Sequence, residues 1–361
     1  MSKIISIGTA VPAFKNNQAD ICKFMIQLLK ADEKMERKLK ILYDKSSIET
    51  RYSVIPDYSV SAKHRIFYPK TDDLEPFPDL EQRMEKFHPA ALELSLKSAE
   101  NCLSKLKRKP KITHLISVTC TGLSAPGLDL ELVHELKLPS SVNRTSINFM
   151  GCYAAFHALK IADSICRSDE KAVVLIVCTE LCTLHFQKSL STDDLVANSL
   201  FADGSASVLV TSDSYRSKGL LLKSFHSEIA RHGSKDMAWK LSKTGFLMSL
   251  TSYVPELVLS GIKPLMKTAV KKSRVAEIYH WAIHPGGRKI LEASEKALNI
   301  NSDNLSASYE TLKNYGNMSS PTVLFVLDKI ISERKNNSGE TVFAAGFGPG
   351  LTLESAVLEF E

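Results

Sequence analysis

The distribution of apolar residues points to an α/β protein built from two related halves. Two runs, Thr113 to Thr119 and Val173 to Cys178, are dense in apolar and β-branched residues. With helical patterns between them, they read as strands buried on both faces. A faint internal repeat supports duplication. Gly151-Cys152 precedes an apolar helical stretch ending Leu159-Lys160-Ile161, and Gly316-Asn317 precedes a similar stretch ending Asp328-Lys329-Ile330. Likewise Thr113 to Gly122 and Ala276 to Gly286 each read as strand then turn. At 361 residues the chain exceeds one ordinary domain, and two related halves, 1–212 and 213–361, explain its length better than two unrelated domains.

In chain order, Ile4-Ile5-Ser6-Ile7 reads as a short strand that Gly8-Thr9 should end in a turn. Asn17 is then a candidate cap for an amphipathic helix carrying Ile21, Phe24, Met25, Leu28 and Leu29 on its apolar face. A second helix places Leu92, Leu96, Ala99, Leu103 and Leu106 together and ends in the basic cluster Lys105 to Lys111. That cluster reads as a solvated helix end before a strand. It has no interleaved aromatics, so nucleic-acid binding is not expected.

Composition narrows the class of protein further. Hydrophobic residues make up 44% and charged residues 24%, enough to build a packed core and exclude disorder as the main state. The net charge of +6 is mild and permits an anionic partner without identifying one. The mid-chain apolar run Ala172 to Cys178 is far shorter than the ~20 residues of a membrane span. Ile4 to Ala13 is interrupted by Ser6, Gly8, Thr9 and Pro12, so no signal peptide is expected. The seven cysteines show no paired spacing, and Cys178, Cys182 and His185 lack a fourth ligand for zinc. A reduced, cytoplasmic chain without a metal site is the simplest expectation, and one thiol is free to act as a nucleophile.

Cys152 is the candidate thiol. Gly151 allows a sharp strand-to-helix turn, and a cysteine at a helix start is exposed to the positive end of the dipole. Alternatively it is a small buried hydrophobe, a common fate for free cysteines. His284 ends the apolar run Trp281-Ala282-Ile283 before Pro285-Gly286-Gly287, at a sheet edge where ligands bind in open α/β folds. A lone histidine there is more often structural. Asn317, between Gly316 and Met318-Ser319-Ser320, is either a helix cap or a hydrogen-bond donor, with Pro321 suited to a first helical turn. Together the three supply a thiol that can be acylated and two donors that can polarise a thioester carbonyl. Gly346-Phe347-Gly348-Pro349-Gly350 reads either as a tight loop allowing close backbone approach to a ligand or as a plain turn between strands.

The residues around Cys152, with Ile283-His284-Pro285-Gly286-Gly287, Tyr315-Gly316-Asn317-Met318-Ser319-Ser320 and Gly346 to Leu351, resemble the type III polyketide synthases, the chalcone and stilbene synthase family. Gly8-Thr9-Ala10 and Leu200-Phe201-Ala202-Asp203-Gly204 extend the likeness over nearly the whole chain. The resemblance implies a thiolase-like fold layered αβαβα, working as a homodimer. It implies that Cys152 takes a starter acyl group from an acyl-CoA. His284 and Asn317 would hold the thioester oxygen of malonyl-CoA while carbon dioxide leaves, and His284 would keep Cys152 ionised as an imidazolium–thiolate pair. Coenzyme A thioesters are then the substrates, with no metal or redox cofactor.

The same resemblance places Phe201 as a gatekeeping phenylalanine, with Met248 where a second one is expected. Lys45 and Lys38 match basic residues that meet coenzyme A phosphates, while a third such position reads Ile41 beside Lys40. Gly286 and Gly287 are assigned to the coenzyme A site, and Gly346 to Gly350 to the loop of the cyclisation pocket. Trp239 stands where plant enzymes have a glycine, and Ala125 replaces a methionine that plant enzymes send across the dimer interface. Cys120, Thr121, Cys182, His185 and Ser319 would line or flank the cavity. These departures suit a bacterial-type member and a long fatty acyl starter giving an alkylresorcinol or alkylpyrone. The competing expectations are a ketoacyl-ACP synthase, which shares the Cys, His and Asn, and a non-catalytic subunit of a synthase pair.

Overall fold

Alternation along the strands sets the layering. In Val173–Leu181 every residue is buried. Val173, Leu175 and Val177 enter one core, and Val174, Ile176 and Cys178 enter another on the opposite face. A strand of that kind belongs inside a sheet covered on both sides. The computed structural model of the protein, which describes residues 1–230, 237–251, 254–333 and 338–361, places it there.

The chain opens with β1 (Ser2–Ala10), β2 (Phe14–Asn17), α1 (Gln18–Leu28), α2 (Glu33–Asp44), β3 (Thr50–Ser53) and α3 (Leu80–Ser104). It continues through β4 (His114–Thr119), α4 (Leu128–Glu135), β5 (Asn143–Asn148), α5 (Ala154–Ser168), β6 (Val173–Leu181), α6 (Thr192–Leu200) and β7 (Asp203–Ser212). Then follow β8 (Leu220–Ile229), β9 (Met237–Ser242), β10 (Gly245–Leu250), α7 (Val254–Ser273) and β11 (His280–Ile283). The last elements are α8 (Arg288–Leu298), α9 (Ser306–Tyr315), α10 (Thr322–Ser332), β12 (Thr341–Gly348) and β13 (Thr352–Phe360).

Nine strands form one mixed sheet in the order β11-β12-β13-β8-β1-β7-β6-β4-β5. Two sets of four repeat one plan. β4 and β6 are parallel, β6 and β7 antiparallel, and β7 returns antiparallel to β1. β11 and β12 are parallel, β12 and β13 antiparallel, and β13 returns antiparallel to β8. The sets join where Ser2, Lys3 and Ile4 pair with Leu222, Leu221 and Leu220. The cysteine turn before α5 and the asparagine turn before α10 occupy matching places in the two sets, as the faint repeat implied.

Three cores separate the layers. α5 and α10 share the central core with the inner faces of both strand sets. α1 and α3 cover the outer face of the first set, and α7 and α8 cover that of the second. The result is the αβαβα layering of the thiolase-like fold. In β12, for instance, Val342 and Ala344 point to the central core, while Phe343, Ala345 and Phe347 pack against α7 and α8.

Several expectations need correction. Gly8-Thr9 does not end the first strand, because β1 runs on to Ala10 paired with Ser205. A Cβ on Gly8 would lie 2.0 Å from the Cys102 backbone nitrogen, so this glycine lets α3 lie against the strand. Asn17 does sit at the start of α1, but its side chain makes no cap bond; it donates to Asp20 instead at 3.4 Å. The second helix starts twelve residues earlier than its apolar pattern, at Leu80, because Asp79 and Gln82 form a capping box there. Its Lys105 is the C-cap, as expected of a helix end, and is ion-paired to Asp328.

Candidate active site

Two strained turns carry Cys152 and Asn317. After β5 the chain passes through Phe149 (φ 60°) and Gly151 (φ 80°) before α5 begins. A Cβ on Gly151 would meet the Pro349 ring at 2.2 Å, so both the left-handed backbone and the contact demand glycine. Cys152 follows, buried, two residues ahead of α5. In the matching turn, Gly316 (φ 70°) and Ser319 (φ 58°) flank Asn317. Backbone strain at a buried polar turn persists only where the surroundings enforce it.

Those surroundings tie Asn317 to its neighbours. Its N–H donates to Leu200 O and its carbonyl accepts from Ala202 N, both at 2.9 Å, so Phe201 is strapped alongside it. Its Oδ1 accepts from Ser319 N at 2.8 Å, and its Nδ2 donates to Gly286 O at 3.3 Å. The cap of α10 is Pro321, so the helix-cap reading of Asn317 does not hold. His284 leaves the end of β11 with its N–H bonded to Ala345 O at 2.8 Å. Its ring is buried, and among the described residues neither ring nitrogen has a partner.

One cavity of about 700 Å³ brings Cys152, His284, Asn317 and Ser319 together. Burial pushes the Cys152 thiol up to about 11, against opposing hydrogen bonds from Ser319 and Asn317. Burial also pulls the His284 imidazole down to about 3. Burial disfavours the charged form of both groups, and so opposes the expected imidazolium–thiolate pair. A neutral ring with two unpaired nitrogens can accept a proton at one and donate at the other.

Phe201, Met248, Trp239, Cys120, Thr121 and Cys182 all line this cavity. Trp239 and Met248 face each other across the β9–β10 pair, and the Trp239 indole donates to Cys120 O at 2.8 Å. His185 stands outside it, lining an adjacent small pocket that shares Cys182, Phe201, Trp239 and Met248. Its ring stacks on Phe246 with centroids 4.2 Å apart, and its Nε2 lies 2.7 Å from Thr121 O. It is a wall support. At the mouth stand Lys38 and Ile41 from α2 and Lys45 at its C-cap, opposite Gly286, Gly287, Arg288 and Lys289. Lys40 turns away and pairs with Glu36 at 2.6 Å. Ala125 stands apart from the cavity lining.

The expected glycine loop is mostly strand. Gly346, Phe347 and Gly348 belong to β12, and only Pro349 and Gly350 turn the chain. A Cβ on Gly346 would strike the Phe156 ring at 2.7 Å, and one on Gly348 the Tyr153 ring at 2.5 Å. These glycines let α5 approach the strand. Phe347 and Pro349 alone of the five reach the cavity.

A residue the sequence reading missed lies beneath the site. Glu180 is fully buried, and its Oε2 accepts from Cys120 N and from Thr121 Oγ1 at 2.8 Å each. Its Oε1 accepts from Ser320 Oγ at 2.7 Å, tying the Asn317 turn to the Cys120-Thr121 segment that follows β4. Burial lifts its carboxyl to about 7. A lone acid inside the apolar strand Val173–Leu181 was the available signal.

Among the described residues no helix is long and apolar enough to cross a membrane, and no group of three His, Cys, Asp or Glu side chains could hold a metal ion.

The family described as chalcone and stilbene synthases matches this chain twice, its N-terminal domain over residues 1–214 and its C-terminal domain over residues 222–360. Probable polyketide synthase 1 of Dictyostelium discoideum is 30% identical over 99% of this chain, which spans only 11% of that much longer protein. The "Alpha-pyrone synthesis polyketide synthase-like Pks18" of Mycobacterium tuberculosis is 29% identical, over 99% of this chain and 90% of its own length. Among solved structures, PKS-I from the brown alga Ectocarpus siliculosus superposes with a TM-score of 0.92 at 26% identity, covering 100% of this chain and 98% of its own.

Proposed function

The chain belongs to the chalcone and stilbene synthase family and is a type III polyketide synthase; from this premise we propose how its residues divide the work and which substrates they take. The observation that carries the reading is the single cavity shared by Cys152, His284, Asn317 and a basic mouth. Neither a ketoacyl-ACP synthase nor an inert subunit is favoured by the relatives.

In the proposed cycle the Cys152 proton passes to a bare nitrogen of His284 as Sγ attacks the acyl-CoA carbonyl. Coenzyme A leaves as a thiolate and takes that proton, restoring the neutral imidazole. Malonyl-CoA then binds with its thioester oxygen between an imidazole N–H and the Asn317 amide. Its C–C bond breaks, carbon dioxide leaves, and the electron pair enters the enolate that both donors stabilise. The resulting carbanion attacks the acyl–Cys152 carbonyl and expels the cysteine thiolate. Repetition extends the poly-β-keto chain before it cyclises. No step calls on a metal or redox cofactor. Residues 1–212 contribute the nucleophile, and residues 213–361 the histidine and the asparagine. We take the working unit to be a homodimer in the cytoplasm.

Lys38 and Lys45 are assigned to the coenzyme A phosphates, beside Gly286 and Gly287 at the same mouth. Phe201 and Met248 are assigned to the gate, and Trp239 to the wall. An apolar lining that includes Leu195, Val196, Leu200, Met237 and Leu250 favours a fatty acyl starter over a polar one. A pyrone is the favoured product, in keeping with the name of the mycobacterial relative, and a resorcinol is the alternative cyclisation. The test is incubation of the purified protein with malonyl-CoA and a panel of acyl-CoA starters, read by mass spectrometry. Long-chain starters should give alkylpyrones. Preference for aromatic starters would overturn the substrate assignment, and no product from any starter would overturn the assigned chemistry.

A further inference from the structure

α2 carries more unpaired positive charge than a cavity mouth needs. Lys34, Lys38, Ile41 and Lys45 recur at intervals of four, three and four residues, so they share one face of the helix. All four are exposed, and Arg37 beside them is exposed as well. Cations elsewhere on the helix have partners: Lys40 pairs with Glu36, and Arg37 with Glu33. Among the described residues, Lys34, Lys38 and Lys45 enter no ion pair, nor does Lys289 on the opposite rim.

The opposite rim repeats the bias. The first turn of α8 holds Arg288 and Lys289 and no acid. Positive charge at a helix N-terminus opposes the dipole and costs the helix roughly 0.3–1 kcal/mol per residue, so local helix stability does not account for it. Arg288 is offset by Glu292 at 2.7 Å, and Lys289 is left to the mouth.

The stripe reaches beyond a nucleotide thioester. Lys34 lies outside the cavity lining, on a surface depression that shares Lys38 and Ile41 with the mouth. From Lys34 to Lys45 the stripe runs about 16 Å along the helix axis. At its centre Ile41 is 55% exposed, with Arg37, Lys38 and Lys45 within a turn of it and the acids Glu33 and Asp44 at the margin. An adenine ring could rest on it, and an apolar anchor with a charged rim is also how protein partners are recognised; Lys34, outside the mouth, is what extends the surface past a nucleotide.

We propose that the α2 stripe and the α8 rim dock an acidic carrier protein, whose acyl-phosphopantetheine arm enters the same mouth and hands its acyl group to Cys152. This rests on the condensing reading above. The partner is negatively charged, buries Ile41, and exchanges thioester for thioester, so its thiol is regenerated when Cys152 is acylated.

The test compares two starters in the full-length enzyme: dodecanoyl-CoA, and an acidic acyl carrier protein charged with a dodecanoyl group on its phosphopantetheine arm. Malonyl-CoA is the extender in both. The variant is Lys34→Glu, which puts an acid in the first turn of α2, where the dipole favours it. Expected are turnover of both starters by the wild type and, in the variant, a loss of about tenfold in kcat/KM for the carrier-borne starter alone. That loss should shrink as ionic strength rises. Use of dodecanoyl-CoA with no use of the carrier-borne starter would overturn the docking proposal and leave the condensing reading standing. An equal effect of the variant on both starters, or none on either, would also overturn it. Failure of both starters in the wild type would defeat the condensing reading itself.

Discussion

Glu180→Gln separates the clamp beneath the active site from its charge. The carboxyl is fully buried and rises from its ordinary 4.5 to about 7 because burial disfavours the ionised form. Below pH 4.5 the folded and unfolded chains are both protonated, and no penalty exists. As the pH rises through 4.5 the unfolded chain ionises while the folded one stays neutral, so stability falls until the folded carboxyl ionises near 7. The whole loss is about 3 kcal/mol, of which roughly 2–3 kcal/mol falls between about pH 5 and pH 8. The amide keeps the clamp: its oxygen accepts from Cys120 N and Thr121 Oγ1, and its nitrogen donates to Ser320 Oγ, whose hydroxyl turns to accept. Asp203 is likewise lifted to about 7 by burial, so among the described residues the wild type carries two such groups and the variant one. Urea unfolding at the two pH values reads the difference. The variant should lose roughly 2–3 kcal/mol less than the wild type on going from the lower pH to the higher. Parallel losses in the two proteins would refute the assignment of a buried neutral carboxyl.

Asn317→Asp keeps the oxygen that accepts from Ser319 N but removes the donor and adds negative charge beside the enolate. Carbon dioxide release from malonyl-CoA should drop by about 10²–10³, and a normal rate would remove Asn317 from the oxyanion site. Cys152→Ala should abolish product formation while malonyl-CoA decarboxylation persists, measured as carbon dioxide against polyketide; continued condensation would contradict the nucleophile. Gly348→Ala would drive a methyl to 2.5 Å from the Tyr153 ring and 3.4 Å from the Cys152 nitrogen. Thermal unfolding should register a loss of about 1–3 kcal/mol, and an unchanged Tm would show that α5 yields easily.

The sequence was most informative where a residue's role is local. Val173 to Cys178 is apolar on both faces, and that alone placed β6 inside a covered sheet. The turns at Gly151-Cys152 and Gly316-Asn317 announced themselves through glycine beside a polar residue before a helix. Glycine was ambiguous wherever packing set its need: Gly8, Gly346 and Gly348 lie in strands and make room for α3 or α5. Nothing local separates that use from a turn. The protonation states were illegible for a related reason, since burial of Cys152 and His284 depends on elements far away in the chain. Glu180 escaped notice because its meaning lies in Ser320, which folding brings from 140 residues away to complete the clamp.

Acylation of Cys152 is the step on which the proposed cycle depends. Incubation with a long-chain acyl-CoA alone, followed by intact-mass and peptide mass spectrometry, should show one acyl group on the peptide containing Cys152 and release of coenzyme A. Malonyl-CoA should then discharge that adduct into product. An acyl group on Cys120 or Cys182 instead, both of which line the same cavity, or product formed with no acyl-enzyme at all, would contradict it.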